Sequence, residues 1–141
     1  MFVSITRLRL RSWLLLPAFF MDANGSAKQA AQFPGFRAGK TLFDRKLVFW
    51  TLTSWDSEGA MRSYRSTGVH RGAMPKLAKW CGESQTAHYT TEETTLPSWA
   101  EAHAELMARG HIYKVDRPSG TQTMDAIPAP STEAWRTRDI A

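Results

Sequence analysis

The chain has 141 residues, 43% of them hydrophobic and 22% charged, proportions that suit one ordinary globular domain able to bury a real core. Eighteen basic residues against thirteen acidic ones give a net charge of +5. The cations are scattered, and no RNA-binding signature or zinc-finger spacing accompanies the densest run, Arg7, Arg9 and Arg11, which argues against a nucleic-acid partner. Cys81 stands alone, which excludes an intramolecular disulfide and any multi-cysteine metal site.

Near the N-terminus, arginines followed by Trp13–Met21 imitate a secretory signal. The apolar run is short, Pro17 interrupts it, and Ala23–Ala27 is a poor cleavage site. The segment therefore reads as folded structure and the protein as cytoplasmic. No stretch approaches the length of a membrane-spanning helix, so no membrane partner is expected.

Phe2–Arg11 alternates as a first strand, with Phe2, Ser4, Thr6, Leu8 and Leu10 on one side and Val3, Ile5, Arg7 and Arg9 on the other. A helix follows from Leu16 to Gln32, tolerating Pro17 in its first turn and ended by Pro34-Gly35. Phe36–Phe43 is a second strand, Asp44-Arg45-Lys46 a short turn, and Leu47–Trp55 a third strand rich in β-branched and aromatic residues. A second helix starts near Ser57, with Ala60, Met61 and Tyr64 inward, until Gly68 interrupts it. His70, Met74, Leu77 and Cys81 then share one helical stripe, inside which Pro75 must either begin a new helix or kink a continuous one. Gly82 closes that element and Ser84–Thr91 is a fourth strand. Ser98 caps a helix to Arg109, packed through Trp99, Ala102, His103, Leu106 and Met107 and stopped by Gly110. His111–Val115 is a short extra strand. This divides the chain into a domain over residues 1–115 and a tail over 116–141, extended, mobile or laid over a neighbour.

The β-α-β-β-α-β order is an α+β, ferredoxin-like plan with an extra C-terminal helix and short strand. Over residues 1–91 the chain resembles the dimeric α/β-barrel superfamily, which includes antibiotic-biosynthesis monooxygenases and heme-degrading monooxygenases. Pro34-Gly35-Phe36, Phe49–Trp55 entering Asp56-Ser57-Glu58, and Ala60-Met61 through His70-Arg71 carry the resemblance. It implies a homodimer whose sheets pack face to face, each protomer holding a pocket between its own sheet and helices. Relative to the heme-degrading members, His70 stands at the iron-ligating histidine. Tyr64 replaces the helix-two Trp that distorts the heme, and Thr6 lies nearest the first-strand Asn.

His70 could take a proton near neutral pH or ligate a heme; the plainer alternative is a buried histidine bonded to a backbone carbonyl. Tyr64 and Arg71 could orient a phenolic substrate, although an exposed helix arginine is the commoner outcome. Trp50 and Trp55, an odd number apart, fall on opposite faces of their strand, and such rings usually pack. Thr6, Met61, Met74 and His88 complete the candidate pocket wall. His103 and His111 lie outside the matched region, and no His pair has zinc-binding spacing. These residues point first to a monooxygenase-like protein, cofactor-free or heme-assisted, acting on an aromatic or polycyclic small molecule. In this reading His70 is the base, with Tyr64 and Arg71 orienting. The alternatives are a heme-binding protein with His70 as axial ligand, a non-catalytic dimeric ligand-binding module, or a cyclase or isomerase.

Overall fold

The computed structural model describes residues 1–44, 46–112, 115, 127–130 and 136–140. Among the described residues six strands and four α-helices follow in the order β1 (Phe2–Leu10), α1 (Leu16–Gln32, entered through a 3-10 turn at Trp13–Leu15), β2 (Phe36–Phe43), β3 (Val48–Trp55), α2 (Glu58–Arg65), α3 (Gly68–Trp80), β4 (Cys81–Thr90), α4 (Trp99–Arg109), β5 (His111–Ile112) and β6 (Arg136–Ile140). They form one sheet in the order β5-β4-β1-β3-β2-β6, antiparallel throughout. The four central strands have the ferredoxin-like order, because each crossover helix skips one strand and the other half of the chain fills the gap.

Several boundaries differ from the sequence expectation. Leu47 belongs to the turn before β3, in the left-handed region at φ 66°, where Asp44 Oδ1 accepts from the backbone N–H groups of Lys46 and Val48. Arg45 lies outside the described residues. Pro75 neither starts nor ends a helix, since α3 runs through it. Cys81 is not the last member of the helical stripe but the first residue of β4, and Gly82 sits inside that strand. The chain passes from Trp80 straight into the sheet, with Cys81 already extended, so no loop is needed. Of the expected extra strand His111–Val115, His111 and Ile112 pair with β4, and Tyr113 and Lys114 are outside the described residues. Part of the expected tail, Arg136–Ile140, is an edge strand against β2.

The two faces of the sheet are covered differently. Helices α1, α2 and α3 lie over one, and α4 over the other. On the α4 side, Val3, Ile5, Trp50, Leu52 and Ala87 form a core with Ala102 and Leu106, closed by Ile127. Met107 does not join it and is 41% exposed, because the packed stripe Trp99-Ala102-His103-Leu106 leaves it one position past the edge. The sequence expectation left this oily face free for a twin molecule; α4 of the same chain is seated on it instead. Arg7 is buried there, its guanidinium donating to Gln85 Oε1 at 3.0 Å and lying 3.6 Å from Glu83.

On the three-helix side the core is split. Leu8, Leu10, Phe19, Phe43 and Cys81 pack at one end. Phe2, Ala30, Trp55, Met61 and Tyr64 pack at the other. Between the two clusters the sheet carries small hydroxyl side chains, too short to reach the helices, and this is where a cavity opens.

Candidate functional site

Strand register defines the cavity floor. One row across the sheet reads His88-Ser4-Thr53-Gly39-Ile140, and the next reads Thr86-Thr6-Thr51-Thr41-Arg138, each residue directly opposite its neighbour. The rows beyond them are aromatic or aliphatic, with Phe2, Trp55 and Phe36 on one side and Leu8, Phe49 and Phe43 on the other. Over this floor α1, α2 and α3 contribute Ala27, Ala30, Met61, Tyr64, Arg65, His70, Ala73 and Met74, enclosing about 200 Å³. Thr86 Oγ1 donates to the Ile5 carbonyl at 2.9 Å, and Thr53 Oγ1 accepts from Trp55 Nε1 at 3.0 Å. The half-buried hydroxyls of Ser4, Thr6, Thr41 and Thr51 have no hydrogen bond among the described residues, so they are available to a ligand.

Helix α2 starts where Ser57 Oγ accepts from the Ala60 N–H, and its buried side is Met61 and Tyr64. The chain breaks at Ser66-Thr67 and restarts at Gly68, whose φ of +60° disfavours any other residue. Gln29 of α1 bridges this break. Its Nε2 donates to the carbonyls of Tyr64 (3.3 Å) and Thr67 (2.7 Å), and its Oε1 accepts the His70 N–H at 3.0 Å. A Cβ on Gly68 would come within 3.2 Å of that same amide. Gln29 thus satisfies the end of one helix and the start of the next, and fixes where His70 enters the cavity.

The His70 ring is packed against Tyr64, centroids 4.7 Å apart, with Nδ1 3.4 Å from the Arg65 carbonyl. A carbonyl only accepts, so Nδ1 carries the hydrogen and Nε2 keeps its lone pair. Burial lowers the His70 pKa; the Arg65 carbonyl opposes the shift and the Arg65 charge adds to it. His88 is lowered for the same first reason, again with Arg65 contributing. Both imidazoles are therefore neutral at pH 7. Tyr64 is spent differently: its hydroxyl donates to the Ser26 carbonyl at 3.0 Å, and burial raises its pKa. It is a poor acid or base here and a good wall, stacked with Trp55 at 5.0 Å.

Of the residues expected from sequence, Thr6, Trp55, Met61, Tyr64, His70, Met74 and His88 all line this one cavity. Trp50 does not. It faces α4, 6.5 Å from Trp99 and 6.2 Å from His103, because five residues separate it from Trp55. Arg71 is exposed on the outer side of α3 and does not line the cavity either. The cavity's guanidinium is Arg65, four residues after Met61 and so on the same helix face, a spacing that could have found it. The hydroxyl floor was also missed, although alternation of Ser4/Thr6, Thr51/Thr53 and Ser84/Thr86 signalled it. His103 holds the Ile127 carbonyl on the far side of the sheet at 2.7 Å, and His111 is exposed.

The overall arrangement has solved counterparts. A Nitrosomonas europaea protein assigned to the antibiotic biosynthesis monooxygenases superposes with a TM-score of 0.59 at 16% identity, over 66% of this chain and all of its own. SnoaB, a cofactor-independent oxygenase from Streptomyces nogalater, gives 0.54 at 20% identity, over 69% of this chain and 97% of its own. A Mycobacterium tuberculosis protein, Rv0793, gives 0.60 at 10% identity, over 67% and 98%. The chain shares the fold of the antibiotic biosynthesis monooxygenases. No protein-family profile matches it, and no curated protein matches its sequence. Among the described residues no helix is long and apolar enough to cross a membrane, and no group of three or more His, Cys, Asp or Glu could hold a metal ion.

Heme fits this site poorly. The space directly beside His70 is about 200 Å³, little more than the roughly 150 Å³ of an apolar cavity that takes one benzene. Tyr64 and Thr6 also stand where the resemblance to heme-degrading enzymes calls for Trp and Asn.

Proposed function

We propose that the cavity binds a phenolic compound of one or two rings and that His70 Nε2 accepts its hydroxyl proton, priming the ring for reaction with dioxygen. The observation that carries this reading is the joint placement of neutral His70 and cationic Arg65 on a ring-sized cavity floored by unpaired hydroxyls. The similar fold of SnoaB, a cofactor-independent oxygenase, is compatible with it. The ring lies against Trp55 and Tyr64, the threonine row hydrogen-bonds its polar edge, and Arg65 favours the phenolate as charge develops. In the overall reaction one oxygen atom enters a ring carbon as a carbonyl. The ring gives up its hydroxyl proton and the hydrogen of that carbon, which leave with the second oxygen as water. The phenol loses four electrons and dioxygen gains four.

1-Naphthol tests this directly, since the balanced product is 1,4-naphthoquinone plus water. Oxygen uptake and quinone absorbance are expected from the protein and are lost at least tenfold in His70→Ala. Binding of 1-naphthol with no oxygen uptake would instead support a non-catalytic ligand-binding module. A homodimer belongs to the same proposal, with α4 rather than bare sheet on the second face of each protomer. Light scattering of the purified protein decides between one protomer and two.

A further inference from the structure

Beside the main cavity lies a more open one of about 440 Å³, between α1 and the C-terminal strand β6. The two share Ala23, Ala27, Thr41, Phe49 and Ile140 as walls, so they lie side by side over the same part of the sheet. We propose that this second compartment is an anion subsite built by Arg138 and Lys28. The ligand class is then a hydroxyarene carrying a carboxylate or similar anionic group at the end remote from its hydroxyl. This inference rests on the reading of the main cavity as a ligand site.

Three observations carry it. Arg138 is directly opposite Thr41 and continues the threonine row, so the floor of hydroxyls ends in a guanidinium on the same face. Its Cα stands about 10 Å from that of Thr51, two strand spacings away. A bicyclic ligand resting on Thr6 and Thr51 therefore presents its far end to the Arg138 side chain. Next, the seat of β6 is shaped for closeness. Ile140 lies over Gly39, where an added Cβ would be only 3.0 Å from Ile140 Cδ1 and 3.2 Å from the Leu52 carbonyl oxygen. Finally, two cations stand on the compartment's walls. Lys28 and Asn24 of α1 and Arg138 of β6 line the compartment, and among the described residues Lys28 and Arg138 make no ion pair. Asp139 also lines the compartment, although its register opposite Lys40 places its side chain on the other sheet face, while Asp22, in the main cavity, is paired with Lys76 at 3.2 Å. A guanidinium at the end of a largely apolar-walled trough is suited to a planar carboxylate.

Calorimetric titration of the full chain with 2-naphthol and with 6-hydroxy-2-naphthoate, at low ionic strength, tests the subsite. The naphthoate is expected to bind about tenfold more tightly than the neutral naphthol. In Arg138→Gln/Lys28→Gln the ratio of the two Kd values is expected to fall to within about twofold, while Arg37→Gln, an exposed cation outside both compartments, retains it. A wild-type ratio near one, or a ratio unchanged in the double variant, overturns the subsite. If 2-naphthol binds but shows no disadvantage, only this inference fails. If neither compound binds, the reading of the main cavity fails and takes the subsite with it.

Discussion

Thr6 on β1 and Thr51 on β3 stand directly opposite one another at the centre of the sheet, both opening into the three-helix cavity. Flanking rows fill their space with rings or aliphatic chains; this row supplies oxygen at the same height. Thr6→Val and Thr51→Val preserve shape and remove only the hydroxyl. Each is expected to weaken binding of 2-naphthol by about two- to tenfold, the worth of one neutral hydrogen bond, without lowering Tm. Titration calorimetry beside a thermal melt checks both halves of that expectation.

Gln29 is the positioning residue for His70. Gln29→Leu removes the acceptor of the His70 N–H and the donor to the Tyr64 and Thr67 carbonyls. The expected loss is about 1–3 kcal/mol of stability in urea unfolding, from backbone groups left without partners. A structural role alone would end there. Displacement of the imidazole adds a second signature: the His70 side-chain resonances shift in NMR spectra recorded where the variant is fully folded.

Acid should weaken the fold through its histidines. His70 and His88 both have pKa values lowered by burial, so the unfolded chain takes up protons more readily than the folded one. Their contribution is intact above the ordinary histidine pKa of about 6.5 and is lost as pH falls from there through the lowered folded values. Tm is expected to decline over that window, and His70→Gln/His88→Gln to flatten the decline. An equally steep fall in the double variant would assign the acid sensitivity elsewhere.

Tyr64→Phe separates packing from chemistry. It keeps the ring between Trp55 and His70 but gives up the hydrogen bond to the Ser26 carbonyl. A cost of about 0.5–1.5 kcal/mol is expected, and oxygen uptake with 1-naphthol should persist, because the raised pKa of this phenol suits it to neither acid nor base duty. Loss of turnover with unchanged binding would give Tyr64 a chemical role.

Much of this was legible in the residues themselves. Period-two alternation fixed both faces of β1, and the odd spacing of Trp50 and Trp55 sent them to opposite layers, as the two cores record. Ser57 and Ser98 announced their helices by offering an oxygen to free N–H groups, and each does so. What local pattern could not disclose were relationships made only by tertiary contact. Gln29 meets the α2–α3 junction from 38 residues away, as measured to Thr67, and nothing in its surroundings marks it. Arg71 adjoins His70 in sequence yet points outward, whereas Arg65, on the preceding helix, faces inward. The cover on the second face depended on where α4 would dock, which helix amphipathicity does not specify.

In the proposed function a ligand's ring enters the space between the hydroxyl floor and the three helices. Threonine-methyl NMR spectra of the protein, recorded with increasing 2-naphthol, report on that space through ring-current shifts. Large shifts are expected at Thr6, Thr41, Thr51, Thr53 and Thr86, with Thr67 and Thr90 unmoved. Saturable binding that leaves the five floor methyls in place, or no binding at all, would contradict this placement of the ring.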